Sequence, residues 1–268
     1  MKKFLAIIMS CLTAVACCVA FTACGNDKEK LIVYTEAGFP PFEFTAKGST
    51  EVIGVDIELA KYIADKYNYE LQIIDGSFDT IVAGIDEDNA LGIAGISWTA
   101  TRANAIEYSD FYFGGAFQTV VYLKSSEPAI VDGAFAKSNF EGKTVVYQTG
   151  TTSQITVSSN ETDWKIAGKQ DYDSVLTALD EVKTSNGAKY LIIDSQVAKQ
   201  LVASNSECAY ATIEGVEAES YGVVAKKGNT ELIKKVNDAI AELLVKDENG
   251  KTQIDKWYDQ YSAIEPNE

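Results

Sequence analysis

The chain contains no histidine. That excludes a Ser-His-Asp triad and any metal site built on imidazole. Positive charge is scarce: 23 Lys plus Arg stand against 39 Asp plus Glu, a formal net charge of −16. Such a surface repels phosphates, which argues against nucleic acid as a partner and against unaided adsorption to anionic lipid. Cysteine is almost absent beyond the N-terminal end. Of the five, Cys11, Cys17, Cys18 and Cys24 all precede residue 25, so Cys208 has no partner for an intrachain disulfide. It lies in the apolar run Cys208-Ala209-Tyr210-Ala211 and reads as a small buried hydrophobe. Proline occurs four times, and two of the four are adjacent, at Pro40-Pro41. Arginine is scarcest of all: among the cationic residues, Arg102 alone is arginine. A guanidinium offers a planar fork that matches a carboxylate in two parallel hydrogen bonds, and lysine cannot. A chain that uses lysine everywhere else and arginine once points to a use for that fork, with a surface arginine at a helix start as the plain alternative.

The first residues have the pattern of an export signal. Lys2 and Lys3 open it, and an apolar stretch over 4–8 and 12–21 follows, too short and broken for a membrane span. It ends in Phe21-Thr22-Ala23-Cys24-Gly25, which resembles a lipobox with Phe21 in place of the usual leucine. The expectation is a signal peptide over 1–23, cleavage before Cys24, and diacylglycerol with a further acyl chain such as palmitate on that residue, a firm anchor. Residues 24–30 form a short polar tether. Removing Lys2 and Lys3 leaves 21 cationic against 39 anionic residues, a net of −18 in the mature chain. The roughly 245 residues after the cut suffice for two lobes.

Along the mature chain, buried-strand runs alternate with helical spacing. Strands are expected at 31–34, 71–74 and 91–96, with helices at 54–67 and 79–84 between them. Strand, helix, strand, helix, strand is an α/β layout with parallel pairing. The prolines forbid helix over 36–42. A strand at 117–123 crosses to a second lobe, where 143–148, 149–157, 173–182, 190–193 and 195–203 alternate strand and helix. A strand at 221–225 crosses back, and helices at 231–245 and 253–261 close the chain. Two crossings make a two-strand hinge, suited to closing on a ligand. The expected organisation is one lobe over 31–117 and 222–268 and a second over 118–221.

Four segments in this order are similar to the amino-acid-binding solute receptors of ABC importers, the polar amino acid group of the bacterial extracellular binding proteins. They are Phe39-Pro40-Pro41-Phe42-Glu43-Phe44, then Gly54-Val55-Asp56-Ile57-Glu58-Leu59-Ala60, then Gly95-Ile96-Ser97 through Arg102 with Tyr108-Ser109-Asp110, and finally Tyr221-Gly222-Val223-Val224-Ala225-Lys226-Lys227-Gly228. The resemblance covers residues 31–261. It departs at Thr99-Ala100-Thr101, which lacks the usual proline and glutamate, and at Leu91, where an aspartate is common. It implies an α/β two-lobe periplasmic-binding-protein-like fold of type II, with the ligand in the cleft between lobes.

A free amino acid presents a carboxylate beside an ammonium, so its site needs a fork of donors beside a cluster of acceptors. The resemblance assigns the carboxylate to Arg102. The ammonium goes to the Gly95 carbonyl and Asp194, and the Ser97 hydroxyl stands between. Gln148-Thr149-Gly150-Thr151-Thr152 leaves a strand and opens a helix, which suits an anion. The resemblance puts Thr151 and Thr152 on the ligand carboxylate, although an ordinary helix cap explains them too. No Gly-Lys-Ser/Thr follows, so a phosphate loop is disfavoured. Asp194 ends an apolar strand and could equally cap the next helix. Phe39 and Phe78 match positions flanking the ligand side chain, Glu36 matches the place of a side-chain acid, and Trp98 and Tyr147 are weaker candidates. The implied protein is a monomeric lipid-anchored receptor on the outer face of a cell membrane, extracellular or periplasmic. It carries a polar or cationic amino acid to an ABC permease, with no cofactor and no catalysis. The alternative is an exported enzyme on the same fold, similar to a cyclohexadienyl dehydratase, with Glu36 or Asp194 as general acid.

Overall fold

The computed structural model describes residues 28–184 and 187–267. The expected signal peptide and lipobox, with Cys24, lie outside these residues. Two five-stranded sheets carry the molecule. The first is built from β1 (Lys30–Thr35), β2 (Glu70–Asp75), β3 (Ala90–Ser97), β4 (Ile106–Ala116) and, from the end of the chain, Glu219–Lys226. The second holds β5 (Gln118–Leu123), β6 (Thr144–Gln148), β7 (Gly168–Tyr172), β8 (Ala188–Asp194) and β9 (Cys208–Thr212); the returning strand Glu219–Lys226 is β10. The orders are β2-β1-β3-β10-β4 and β7-β6-β8-β5-β9. In each, the first three strands are parallel and the fourth runs antiparallel to its neighbours. The fourth strand of each sheet is the one that directly follows a crossing between sheets.

The parallel strands carry the apolar runs because both faces of each sheet are covered by helices. β3 is buried over all eight residues. α1 (Val55–Lys66) packs Val55, Leu59 and Ile63 at four-residue spacing against the first sheet. Its N-cap, Gly54, has φ 134° and lies so close to the chain before it that an added Cβ would sit 2.0 Å from the Phe42 carbonyl oxygen. Only glycine fits there. α2 (Phe78–Ala83) and α3 (Arg102–Ala105) flank the end of β3, and α4 (Thr152–Asn160), α5 (Val175–Lys183) and α6 (Ser195–Ser204) cover the second sheet. α7 (Thr230–Leu243) and α8 (Gln253–Tyr261) return to the first. Phe42 anchors the Pro40-Pro41 loop: its ring centroid lies 4.9 Å from that of Phe113 and 5.1 Å from that of Tyr221. Burial of one such aromatic is worth about 1.5–3 kcal/mol, enough to fix the loop that presents Phe39.

The crossings lie side by side. Ala116 at the end of β4 pairs with Glu219 at the start of β10, and Thr119 in β5 pairs with Thr212 in β9. β10 starts earlier than its apolar run, so residues 219–221, expected in the second segment, pair within the first sheet: Tyr221 lies opposite Ser97. β4 carries no period-2 alternation because its pairing with β10 is broken by register shifts. A small antiparallel sheet, Gly38–Phe39, Glu43–Thr45 and Val52–Ile53, links β1 to α1. Cys208 is free and buried, as its sequence setting suggests. No described helix is long and apolar enough to cross a membrane.

Candidate functional site

The strand ends of both sheets face one cleft. Ligands of open α/β sheets bind at such carboxyl ends. From the first sheet, β3 delivers Gly95 and Ser97. Gly95 adopts φ 52°, and a Cβ there would lie 2.7 Å from the Phe39 ring. Its N–H donates to Asp56 Oδ2 at 2.8 Å. Beyond Ser97 the chain turns, Thr99 Oγ1 accepts from the Arg102 N–H, and α3 begins with Arg102 buried. The guanidinium folds back over Phe78, 5.3 Å from the ring centroid. Nη1 donates to the Ser97 carbonyl and Nη2 to the Gly150 carbonyl, both at 2.7 Å. Arg102 therefore spans from the first sheet to the second. Burial lowers its pKa, from a value so high that the group stays charged at neutral pH.

From the second sheet, β6 ends at Gln148 and a turn through Gly150 opens α4. Thr151 is the N-cap: its hydroxyl accepts from the Gln154 N–H and donates to the Gln148 carbonyl. Thr152 Oγ1 donates to Glu219 Oε2 at 2.8 Å. Asp194 ends β8 as backbone N-cap of α6, but its side chain makes no cap hydrogen bond. Instead Oδ1 accepts from Gln118 Nε2 at 2.7 Å and Oδ2 from the Tyr221 hydroxyl at 2.5 Å. Burial, with Glu219 nearby, raises its pKa to about 7, against those two hydrogen bonds and the Arg102 charge. Gln118 Nε2 also donates to Glu219 Oε1 at 2.8 Å, so a second carboxylate stands beside Asp194.

The far end of the cleft is acidic. Glu36, Glu43, Phe39 and Phe78 line it, with Gln148 opposite. Burial raises the Glu36 pKa to about 7, opposed by a hydrogen bond from Gln148 and assisted by Asp75. Glu43 is buried, and its carboxyl meets no donor outside its hydrogen bond with Asp56. Asp56 lies against it and shares that hydrogen bond, with Oδ2 held also by the Gly95 N–H and the Tyr112 hydroxyl. Burial and the Asp56 charge push the Glu43 pKa well up; burial lifts that of Asp56 to about 6. Two such carboxyls retain a proton between them.

Of the residues singled out in the sequence, Arg102, Asp194, Ser97, Gly95, Thr151, Thr152, Glu36, Phe39 and Phe78 all line this one cleft. Trp98 and Tyr147 do not: Trp98 is half exposed outside it, and Tyr147 is packed in the second lobe's core. Glu43, Gln148, Ser153, Val175, Ile192 and Ile193 also line it. Glu43 stands within a quoted motif whose aromatics drew attention first, and Gln148 directly precedes the Thr-Gly turn. Glu219 has no comparable sequence signal.

Two α/β lobes joined by paired crossing strands, with an acidic cleft holding a single arginine among its described lining residues, define a ligand-binding protein of the two-lobe type. The chain belongs to the bacterial extracellular solute-binding proteins, family 3, whose pattern matches residues 31–260. Family membership carries an extracellular or periplasmic location. The chain is 29% identical to the arginine-binding extracellular protein ArtP of Bacillus subtilis, over 96% of this chain and 98% of that one. Among solved structures, the amino acid ABC transporter substrate-binding protein AbpA of Streptococcus pneumoniae, bound to L-arginine, superposes with a TM-score of 0.77. It is 26% identical and aligned over 87% of this chain and 94% of its own. An arginine-bound form of ArgBP from T. maritima is 32% identical, with a TM-score of 0.70, covering 80% of this chain and 96% of that one.

Proposed function

We propose that the protein is a receptor for a free cationic L-amino acid, arginine foremost, which it hands to an ABC importer permease. The observation that carries this is the charge of the cleft. Its described lining holds Glu36, Glu43 and Asp194 against Arg102. A zwitterionic backbone would pair its carboxylate with Arg102 and its ammonium with Asp194, using one charge of each sign. Glu36 and Glu43 are then left over in the lining, and surplus buried acid favours a positive side chain. Phe39 and Phe78 would sandwich its alkyl stem and add cation–π attraction. Gly95 and Ser97 would complete the ammonium and carboxylate contacts, with Thr151 and Thr152 presenting the start of α4. The relatives named above for arginine support the same choice.

Ligand bridging would stabilise the closed arrangement of the two lobes, which divide near residue 117 and between 213 and 218. The reading involves no bond making, so neither Glu36 nor Asp194 acts as a catalytic acid. Cleavage before Cys24 and lipidation there would hold a monomeric receptor at the outer membrane face, beside its permease.

The test is thermal unfolding of the purified protein against each common amino acid, after endogenous ligand is stripped by unfolding and refolding. Arginine at a hundred times its Kd should add about 2.7 kcal/mol and raise Tm by ~5–10 °C. A shift with neutral amino acids but none with arginine or lysine would overturn the charge argument.

A further inference from the structure

Within the cationic-ligand reading, the fate of the buried carboxyls is open. Glu43 is 1% exposed, lines the cleft, and is hydrogen-bonded carboxyl to carboxyl with Asp56. Apart from that shared proton, neither Glu43 oxygen nor Asp56 Oδ1 meets a donor. We propose that Glu36, Glu43 and Asp56 act as one proton-exchanging reader of ligand charge, which gives a proton to solvent when a guanidinium or ammonium side chain enters.

The groups facing this cluster are identifiable on every element around it. Asp75, at the end of β2, adds a further negative charge to Glu36 and Glu43 and accepts from the Ala37 N–H at 2.9 Å. From α1 comes Asp56; from β3 its Gly95 donor; from β4 its Tyr112 donor. From the second lobe, Gln148 donates to Glu36. Arg102 is the cation among the described lining residues, and the carboxylates it interacts with are Glu219 and Asp194, not Glu36, Glu43 or Asp56. Among the described residues, no Lys or Arg charge acts on Glu36, Glu43 or Asp56. Carboxyls this close and this dry do not all ionise, and their protons belong to the cluster rather than to one residue.

A cationic side chain changes the balance. Its positive charge favours the ionised forms, and its N–H groups replace the proton that Glu43 and Asp56 share. One O–H bond in the cluster breaks, the proton passes to a buffer base, and a carboxylate faces the ligand. A neutral side chain of the same shape brings donors without charge and leaves the proton in place. Burial raises Glu36 to about 7 and Asp56 to about 6, so the exchange falls between about pH 5 and 7. Over that range arginine affinity should rise with pH, by up to tenfold per unit for one proton released.

Asp194 also holds a raised pKa, but it faces the ammonium that every amino acid carries. Its share is common to all ligands and cancels on comparison. The experiment is isothermal titration calorimetry of the purified protein at pH 6.5 in two buffers of different ionisation heat, which counts protons released per ligand bound. Arginine and citrulline, its uncharged isostere, are titrated into wild type, Glu36→Gln and Glu43→Gln. The expected result is a larger release with arginine than with citrulline in wild type, cut by at least half in each variant. Should Glu43→Gln not fold, the half-buried Glu36→Gln decides alone. Equal proton release by arginine in wild type and variants overturns the proposal, even with tight binding. Absence of binding heat with every amino acid instead overturns the receptor reading beneath it.

Discussion

Gly150 supplies the sharpest test of how the lobes meet. It has φ 76°, its carbonyl accepts from Arg102, and a Cβ built on it would lie 2.8 Å from the Asp79 Cβ and 2.9 Å from the Asp79 Cα. Gly150 belongs to the second lobe and Asp79 to α2 of the first, so backbone meets backbone across the cleft. Gly150→Ala therefore has two separable effects. The left-handed conformation costs an L-residue about 1–2 kcal/mol, in the open and closed forms alike, so it lowers stability without altering affinity. At 2–4 °C per kcal/mol, Tm of the ligand-free protein falls by ~2–8 °C. The steric effect appears only on closure. Carbon atoms pack at about 3.5–4.0 Å, so the lobes must stop roughly 1 Å short, which breaks the Arg102–Gly150 hydrogen bond. A hydrogen bond to a charged group is worth about 1.5–3 kcal/mol, which corresponds to arginine binding ~10- to 150-fold more weakly. Titration calorimetry reads the affinity and calorimetric melting reads the stability. A lowered Tm with a Kd within about threefold of wild type would refute the reasoning, because the lobes would then not close onto this contact.

Two further expectations follow from the same cleft. Arg102→Lys keeps the charge but not the fork; arginine affinity should fall about 10- to 100-fold, the loss of one charge-assisted bond, and near-normal binding by calorimetry would remove Arg102 from the carboxylate. The ligand-free protein should lose stability as pH rises from about 4 to 7, measured by urea unfolding. Glu36 and Asp194, at about 7, and Asp56, at about 6, hold protons in the fold that the unfolded chain releases near its ordinary values of 4.5 and 3.8. The folded state binds more protons in that window, so stability is greatest below it and declines through it; a flat or rising profile would contradict these carboxyls being buried as described.

Much of the fold was legible because buried parallel strands and amphipathic helices leave strong patterns. Leu31-Ile32-Val33-Tyr34 and Tyr190-Leu191-Ile192-Ile193 read as strands, and the spacing of Ile57, Ala60, Ile63 and Ala64, all of them buried, read as a helix. β7 was not legible: it is an edge strand whose Lys169, Gln170 and Asp171 face solvent, so no apolar signal marks it. β4 was missed because its bulged pairing with β10 destroys alternation. In the cleft, residues whose chemistry is rare in this chain stood out, above all Arg102. Others act through position. Gly150 matters through a carbonyl and through what its missing side chain permits, and neither is a property of residue type. Glu43 matters because Asp56, thirteen positions later, comes to lie against it, and Glu219 because the returning strand starts two residues before its apolar run.

The exchange of fourth strands also orders the assembly of the molecule. Every strand of the second sheet comes from residues 118–212, an unbroken stretch. The first sheet cannot be completed until β10, more than a hundred residues after β4, is inserted between β3 and β4. Closing so long a loop is the slower event. As the chain emerges, the second lobe can form on its own, while the first stays an unfinished sheet with a gap at its centre. The half of the cleft carrying Arg102 thus takes its final shape last, so the receptor gains its ligand grip only when nearly the whole chain is present.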